Sequence, residues 1–269
     1  MSAEPARRLL AEAIGTGILV LFGAGSVVAA LTVGGGDLDY AGLGMVAITF
    51  ALAIALAIYA FGTTSGAHLN PAVTVSLAAV RRFPWSEVPA YVVSQLAGGV
   101  AGAALIVAAF GGEAVDLGTG QTSIATGTSY GQAIVAEAIG TFLQVTAIMA
   151  LAVDRRAPGG WAGLMIGLSV AAAILVIGPL TGGSLNPART FGPLLVGTIG
   201  DGPTYWSDFA AYVAGPLIGG LLAAVSYDVV AQPRTFGEPE PAQGTQGDIE
   251  GRRAGDRAAE SEQGRVVPG

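Results

Sequence analysis

The 269-residue chain contains no cysteine and only one histidine. A disulfide framework and a thiolate metal site are therefore excluded, and a histidine-based metal cluster cannot be assembled. Lysine is absent as well, so every basic residue is arginine. With one imidazole, no thiol and no amine side chain, neither a nucleophilic triad nor a phosphate-binding loop can be put together, and no enzyme chemistry, metal or cofactor is expected. Charge is also scarce: 12% of residues are charged against 52% hydrophobic, and the mean hydropathy is +0.63. A soluble domain of this length carries about twice that charge, so the expected solvent is a bilayer.

Long apolar runs bear this out. Leu9 to Thr32, Met45 to Phe61 and Trp161 to Pro179 each hold at most one ionisable residue, and roughly 17–25 such residues span hydrocarbon. Hydropathy places six spans near 8–32, 41–61, 88–110, 131–153, 161–179 and 208–231. The chain has 42 glycines, and small side chains in spans imply closely approaching helices. The first apolar run follows Arg7 and Arg8 but is long and has no small-residue cleavage pattern, so it reads as a retained span and not a signal peptide. Arg81/Arg82 and Arg155/Arg156 lie on the same side as Arg7/Arg8, whereas the connections 33–40 and 111–130 hold Asp37, Asp39, Glu113 and Asp116 and no arginine. By the positive-inside rule both termini are expected in the cytoplasm. Residues 232–269 contribute about −2 of the formal charge of −7; this Pro-, Gly- and Glu-rich stretch reads as a disordered acidic tail and carries no signal for nucleic acid.

Residues 1–231 form one unit that carries an internal duplication. Ala11-Glu12-Ala13-Ile14-Gly15-Thr16 recurs as Ala136-Glu137-Ala138-Ile139-Gly140-Thr141, and Leu69-Asn70-Pro71-Ala72 recurs as Leu185-Asn186-Pro187-Ala188. The repeats, about 8–110 and 131–231, each hold three spans, an odd number, so the second must enter the membrane from the opposite side. Between the second and third spans of each copy, Gly62 to Val80 and Leu180 to Val196 read as a re-entrant loop followed by a half-helix, with Asn as N-cap and Pro at the first helical position. Irregular backbone at membrane depth is tolerated where it lines a water-filled cavity or is buried in protein, and two such segments imply a pore.

Two Asn-Pro-Ala motifs on inverted repeats, the second followed by Arg189, resemble the aquaporin (major intrinsic protein) family over about residues 8–231. The resemblance implies an all-α membrane bundle of six helices plus two half-helices, assembled as a homotetramer with one pore per subunit. It also implies that Asn70, Pro71 and Ala72 meet Asn186, Pro187 and Ala188 at mid-membrane. Two capped half-helices would aim their positive ends there, a barrier to cations and protons, while the asparagine amides donate to a passing water. Matching the family motif assigns pore-facing carbonyls to Gly66, Ala67 and His68 and to Gly182, Gly183 and Ser184. For the His68 ring two readings stand, a buried tie for its loop and a titrating gate, with the tie favoured.

The family's narrowest point corresponds here to Phe50, Ile174, Gly183 and Arg189. Arg189 is an always-charged donor fork able to bond permeants and repel cations. Ile174 removes a polar donor and Gly183 removes bulk, so the aperture is expected to be wider and less polar than in a strict water channel, resembling that of archaeal aquaporins. Thr190, where glycerol channels generally carry Asp, favours the water-channel branch. Glu12 and Glu137 raise a proton-relay reading, but their identical placement in both repeats favours a shared structural role, bonding the loop N–H groups as in the family. Trp85, Tyr91, Trp161 and Trp206 fit an aromatic belt at the interface, and Gln95 with the nearby glycines reads as helix packing.

The function expected is passive passage of water, and of glycerol or other small uncharged solutes, through a multi-pass cell-membrane protein that excludes protons and ions. Partners are then membrane lipid, further copies of the chain and the permeants. Alternatives are a facilitator mainly for glycerol-sized solutes and an ion-coupled transporter; against the latter, no lysine and no carboxylate stands near either Asn-Pro-Ala.

Overall fold

The computed structural model describes residues 3–154 and 156–231; the expected acidic tail, its arginines and Arg155 lie outside the described residues. Among these, six helical stretches are long and apolar enough to cross a membrane: Glu4–Val33, Tyr40–Ser65, Trp85–Phe110, Tyr130–Val153, Ala162–Thr181 and Trp206–Val230. The protein is thus an all-helical, multi-pass membrane protein. The first span is α1 (Ala3–Ile18), a π-helical turn Leu19–Ala24, and α2 (Gly25–Val33). Then come α3 (Tyr40–Ser65), the short α4 (Pro71–Ala79), α5 (Val88–Phe110) and α6 (Gly112–Asp116). The second repeat opens with α7 (Tyr130–Ile148), which also runs into a π-helical turn, Met149–Val153. It continues with α8 (Ala162–Thr181), the short α9 (Pro187–Ile199) and α10 (Ala211–Val230).

Local chemistry sets these ends. Asp39 caps α3 by accepting from Gly42 N at 2.6 Å, and Ser129 with Gln132 forms a reciprocal capping box on α7, each satisfying otherwise orphaned N–H groups. The helices α3 and α8 both stop where a glycine turns left-handed, Gly66 (φ +87°) and Gly182 (φ +77°). Two expected boundaries move as a result. The break expected at Gly62 falls at Gly66, because Gly62 to Ser65 continue the helix. The end expected at Pro179 is passed, although Pro179 lacks the N–H that would bond the Leu175 carbonyl. That carbonyl instead accepts from Tyr40 Oη at 3.3 Å, which lets α8 run to Thr181.

The two repeats pack through the same contacts. A Cβ on Gly98 of α5 would overlap the backbone of Ala13 in α1, and one on Gly219 of α10 would overlap that of Ala138 in α7. Ala13 and Ala138 each follow the duplicated glutamate, so both crossings sit beside Glu12 and Glu137. Gly99 and Gly192 likewise bring the backbones of α5 and α9 together, with a Cβ on Gly99 placed 2.6 Å from the Ala188 carbonyl oxygen. Close approach of this kind is how small residues hold helices in a bilayer. The outer surface is apolar, with Leu52, Leu56, Val176 and Val229 all exposed. Trp85, Trp161 and Trp206 are exposed at span ends, but Tyr91 is buried and is not a belt residue.

Candidate functional site

The site begins with two buried carboxylates. Glu12 Oε1 accepts from Ser65 Oγ (2.7 Å) and His68 N (2.9 Å), and its Oε2 accepts from Leu69 N and Gln95 Nε2, both at 2.8 Å. Glu137 repeats the pattern in the second half. Its Oε1 accepts from Thr181 Oγ1 (2.7 Å) and Ser184 N (3.0 Å), and its Oε2 from Leu185 N (2.7 Å). A phenol supports each loop from outside: Tyr91 Oη donates to the Ser65 carbonyl at 2.8 Å and Tyr212 Oη to the Thr181 carbonyl at 2.7 Å. Buried polar groups on irregular backbone need such partners, each costing about 1–3 kcal/mol if left bare.

These bonds hold the residue before each asparagine in the left-handed region, Leu69 at φ 54° and Leu185 at φ 58°. A branched side chain seldom adopts it, and it persists only where surroundings fix it, at a cost of order 1–3 kcal/mol. The consequence is a reciprocal bond between the repeats. Asn70 Nδ2 donates to the Leu185 carbonyl and Asn186 Nδ2 to the Leu69 carbonyl, both at 2.8 Å. Each asparagine also caps its own half-helix: Asn70 Oδ1 accepts from Ala72 N at 2.9 Å, and Asn186 Oδ1 from Ala188 N at 2.9 Å and Arg189 N at 3.3 Å. The N-termini of α4 and α9, each opening with Pro71 or Pro187, therefore meet, and their positive dipole ends converge. The second amide hydrogen of Asn70 faces Gln144 Oε1 at a longer 3.4 Å.

Between the helix ends and the motifs, no donor among the described residues reaches the carbonyls of Gly66, Ala67, His68, Gly182, Gly183 or Ser184. Six backbone acceptors are thus without a protein donor among the described residues. The His68 ring packs on Phe83 and Tyr91, with centroids 4.7 and 5.2 Å away, those two rings being 4.6 Å from each other, and its Nδ1 is 3.0 Å from Thr74 Oγ1. Thr74 Oγ1 also accepts from Gln95 Nε2 at 3.0 Å and bonds the Asn70 carbonyl at 3.1 Å. Gln95 does more than pack helices, since it joins Glu12 to the cap of α4.

Of the four residues assigned to the narrow point, the structure brings together two pairs. The Arg189 guanidinium carbon sits 5.1 Å from the Phe50 ring centroid, within cation–π range. Gly183 abuts Ile174, so that a Cβ on Gly183 would lie 3.1 Å from Ile174 Cγ1. Arg189 is fully buried, donates from Nη1 to the Gly120 carbonyl at 2.8 Å and leaves Nε without a partner. Phe50 reaches this position because Gly23, in the π-helical turn, has no side chain where the ring passes.

Several contributors carry no motif in the sequence. The connection 111–130 reads as a plain loop, yet its turn Gly118–Gly120 supplies the Arg189 acceptor, and Ile124 N and Ala125 N tie it to Asp208 (3.0 Å) and the Leu180 carbonyl (2.9 Å). The signal available was the glycine-threonine run at 118–120. For Gln144 and Gln95 the signal was an amide in an otherwise apolar span. Tyr91 and Tyr212 are betrayed by their matching places near the starts of the third and sixth spans.

The Major intrinsic protein family model matches residues 1–227. Aquaporin AqpM of Methanothermobacter marburgensis is 45% identical over 82% of this chain and 96% of its own length, and aquaporin NIP1-3 of Oryza sativa subsp. japonica is 37% identical over 85% and 75%. The X-ray structure of the aquaglyceroporin from Plasmodium falciparum superposes with a TM-score of 0.73 at 25% identity, covering 85% of this chain and 98% of that one. Paired Asn-Pro-Ala caps on inverted repeats, a fold shared with a solved relative and a family match over nearly all the described residues converge: the chain belongs to the major intrinsic protein family.

Proposed function

We propose that the protein is a passive pore for water, with glycerol or other small uncharged solutes as a second permeant class, and that it excludes protons and ions. The observation that carries this reading is the meeting of two asparagine-capped half-helices through reciprocal amide–carbonyl bonds at 2.8 Å. Flanked by six unpaired carbonyls, this junction offers a permeant acceptors along the wall and donors with a positive field at the centre. A chain of waters finds hydrogen bonds throughout, whereas a cation meets two helix dipoles and Arg189.

Relatives named aquaporin and a structural relative named aquaglyceroporin support both permeant classes. The apolar contact of Ile174 with Gly183 supports room for a solute larger than water. Contrary to the expectation that no carboxylate stands near either Asn-Pro-Ala, Glu12 and Glu137 bond the residue directly before each motif. Their oxygens are engaged by loop N–H groups and neighbouring side chains, so they serve as supports of the loops and a coupled transporter is disfavoured on that ground. We place the protein in the cell membrane with both termini cytoplasmic, from the arginine distribution, and as a homotetramer, from family membership and the exposed apolar outer surface.

The test is an osmotic jump on proteoliposomes followed by light scattering, first with an impermeant sugar and then with glycerol. Shrinkage well above that of empty vesicles is expected with sugar, and reswelling faster than that of empty vesicles with glycerol. Shrinkage no faster than in empty vesicles would remove the water-channel reading.

A further inference from the structure

One difference between the two halves of the pore centre lies beside Asn70. Gln144 lies seven residues beyond Glu137, and the residue seven beyond Glu12 is Leu19. Both are buried, Gln144 at 5% exposure and Leu19 at 4%. An apolar side chain in one repeat is therefore replaced by an amide in the other, and that amide bonds Asn70.

Its orientation is fixed by chemistry. Asn70 Oδ1 accepts from Ala72 N, so Asn70 turns its nitrogen toward Gln144, and Gln144 must answer with its oxygen. Gln144 Nε2 then points away from Asn70. Among the described residues it has no hydrogen-bond partner, and it is not one of the fully enclosed unpaired atoms. Through Asn70, Gln144 sits beside the junction of the half-helices.

We propose that Gln144 is a permeant-contacting residue that takes over the central donor role on the Asn70 side and favours polar solutes with more than one hydrogen-bonding group. Both amide hydrogens of Asn70 have protein acceptors, Leu185 O and Gln144 Oε1. Asn186 has one acceptor, Leu69 O, and keeps one hydrogen for the lumen. Adding the two hydrogens of Gln144 Nε2 makes the central station a cluster of three donors. A water oxygen has two lone pairs and is satisfied by two donors. Glycerol or urea, with further acceptor sites to desolvate, makes use of the third.

The inference rests on the channel reading, and the experiment separates the two. Water, glycerol and urea permeabilities are measured in the same proteoliposomes for the wild type, Gln144→Leu and Gln144→Met, the last retaining the side chain's length. Replacement releases one Asn70 hydrogen to the lumen, which leaves two donors, enough for water. The solute-to-water permeability ratio is expected to fall by about threefold to tenfold in both variants, the value of one hydrogen bond. An unchanged or raised ratio in either conducting variant overturns the proposal, as does an equal fall in all permeabilities, which marks Gln144 as a mere support of Asn70. A wild type that conducts water but neither solute overturns the proposal and leaves the channel reading intact. A wild type that conducts no water removes the channel reading itself.

Discussion

The side-chain amide of Asn186 donates to the backbone carbonyl of Leu69 across the centre of the molecule, at 2.8 Å. The bond depends on Leu69 holding φ at 54°, and that depends on Glu12, whose Oε2 accepts from Leu69 N. A surface of the first helix thereby sets the geometry of the second repeat's cap, and Glu137 returns the arrangement through Leu185 and Asn70.

Removing either carboxylate should therefore cost the fold and not only the flux. Glu137→Ala strands the Ser184 and Leu185 amides and leaves the Thr181 hydroxyl only the Ile177 carbonyl at 3.4 Å, an expected loss of about 3 kcal/mol or more. Glu137→Gln turns an NH2 toward one set of these donors and is expected to be destabilising as well. Thermal unfolding of detergent-solubilised protein reads both; a variant as stable as the wild type would contradict the support role.

The small-residue crossings make a sharper stability contrast. Gly219→Ala forces a methyl against the Ala138 backbone, and overpacking of this kind costs about 1–3 kcal/mol. Gly44→Ala, with nothing near its added methyl, is expected to be neutral or to stabilise by up to about 1 kcal/mol through helix propensity. The same unfolding measurement compares them.

Much of this was legible in the residues. Six apolar runs, the duplicated Ala-Glu-Ala-Ile-Gly-Thr and the paired Asn-Pro-Ala motifs carry the spans, the inversion and the pore centre, because period, length and cap chemistry are local properties. Where the outcome was non-local, the sequence was silent. Tyr91 looks like an interfacial aromatic until its Oη is found on the Ser65 carbonyl. Pro179 looks like a helix end until Tyr40 is found on the carbonyl that proline leaves free. The Gly120 carbonyl has no side chain to announce that it binds Arg189.

Arg189 is the fixed positive charge of the filter proposed above. In Arg189→Ala, glycerol permeability is expected to rise, and a proton or alkali-cation leak to appear, by an order of magnitude or more. A buried unit charge a few ångströms from a permeant contributes several kcal/mol even at an effective dielectric of about 20. Vesicle reswelling and ion-sensitive dyes read the two effects, and unaltered fluxes of both kinds would remove Arg189 from the filter.

Outside the membrane, Asp154 gathers the end of α10. Its carboxylate accepts from the Arg156 side chain, with Arg156 Nη2 at 2.6 Å, and from Tyr227 Oη at 2.9 Å, while Arg156 Nη2 also donates to the Ala231 carbonyl at 2.7 Å. The Arg156 hydrogen bonds hold the Asp154 carboxyl far below the ordinary aspartate range. A depressed value stabilises the folded state above the unfolded pKa of about 3.9 and loses that contribution only as pH falls further. Hydrogen exchange of 154–160 and 227–231 is therefore expected to show no tie-related change between about pH 5 and 8. Asp154→Asn should speed it at every pH in that window. Exchange rates equal to those of the wild type would contradict the tie.

The most direct measurement follows water and protons in the same proteoliposomes: shrinkage under an impermeant sugar, and decay of an imposed pH gradient reported by an internal dye with a potassium ionophore to clamp the potential. Shrinkage far faster than in empty vesicles is expected, together with a pH decay no faster than theirs. Fast shrinkage accompanied by fast pH decay would contradict the proton barrier assigned to the Asn70–Asn186 junction, and shrinkage at the rate of empty vesicles would contradict the pore itself.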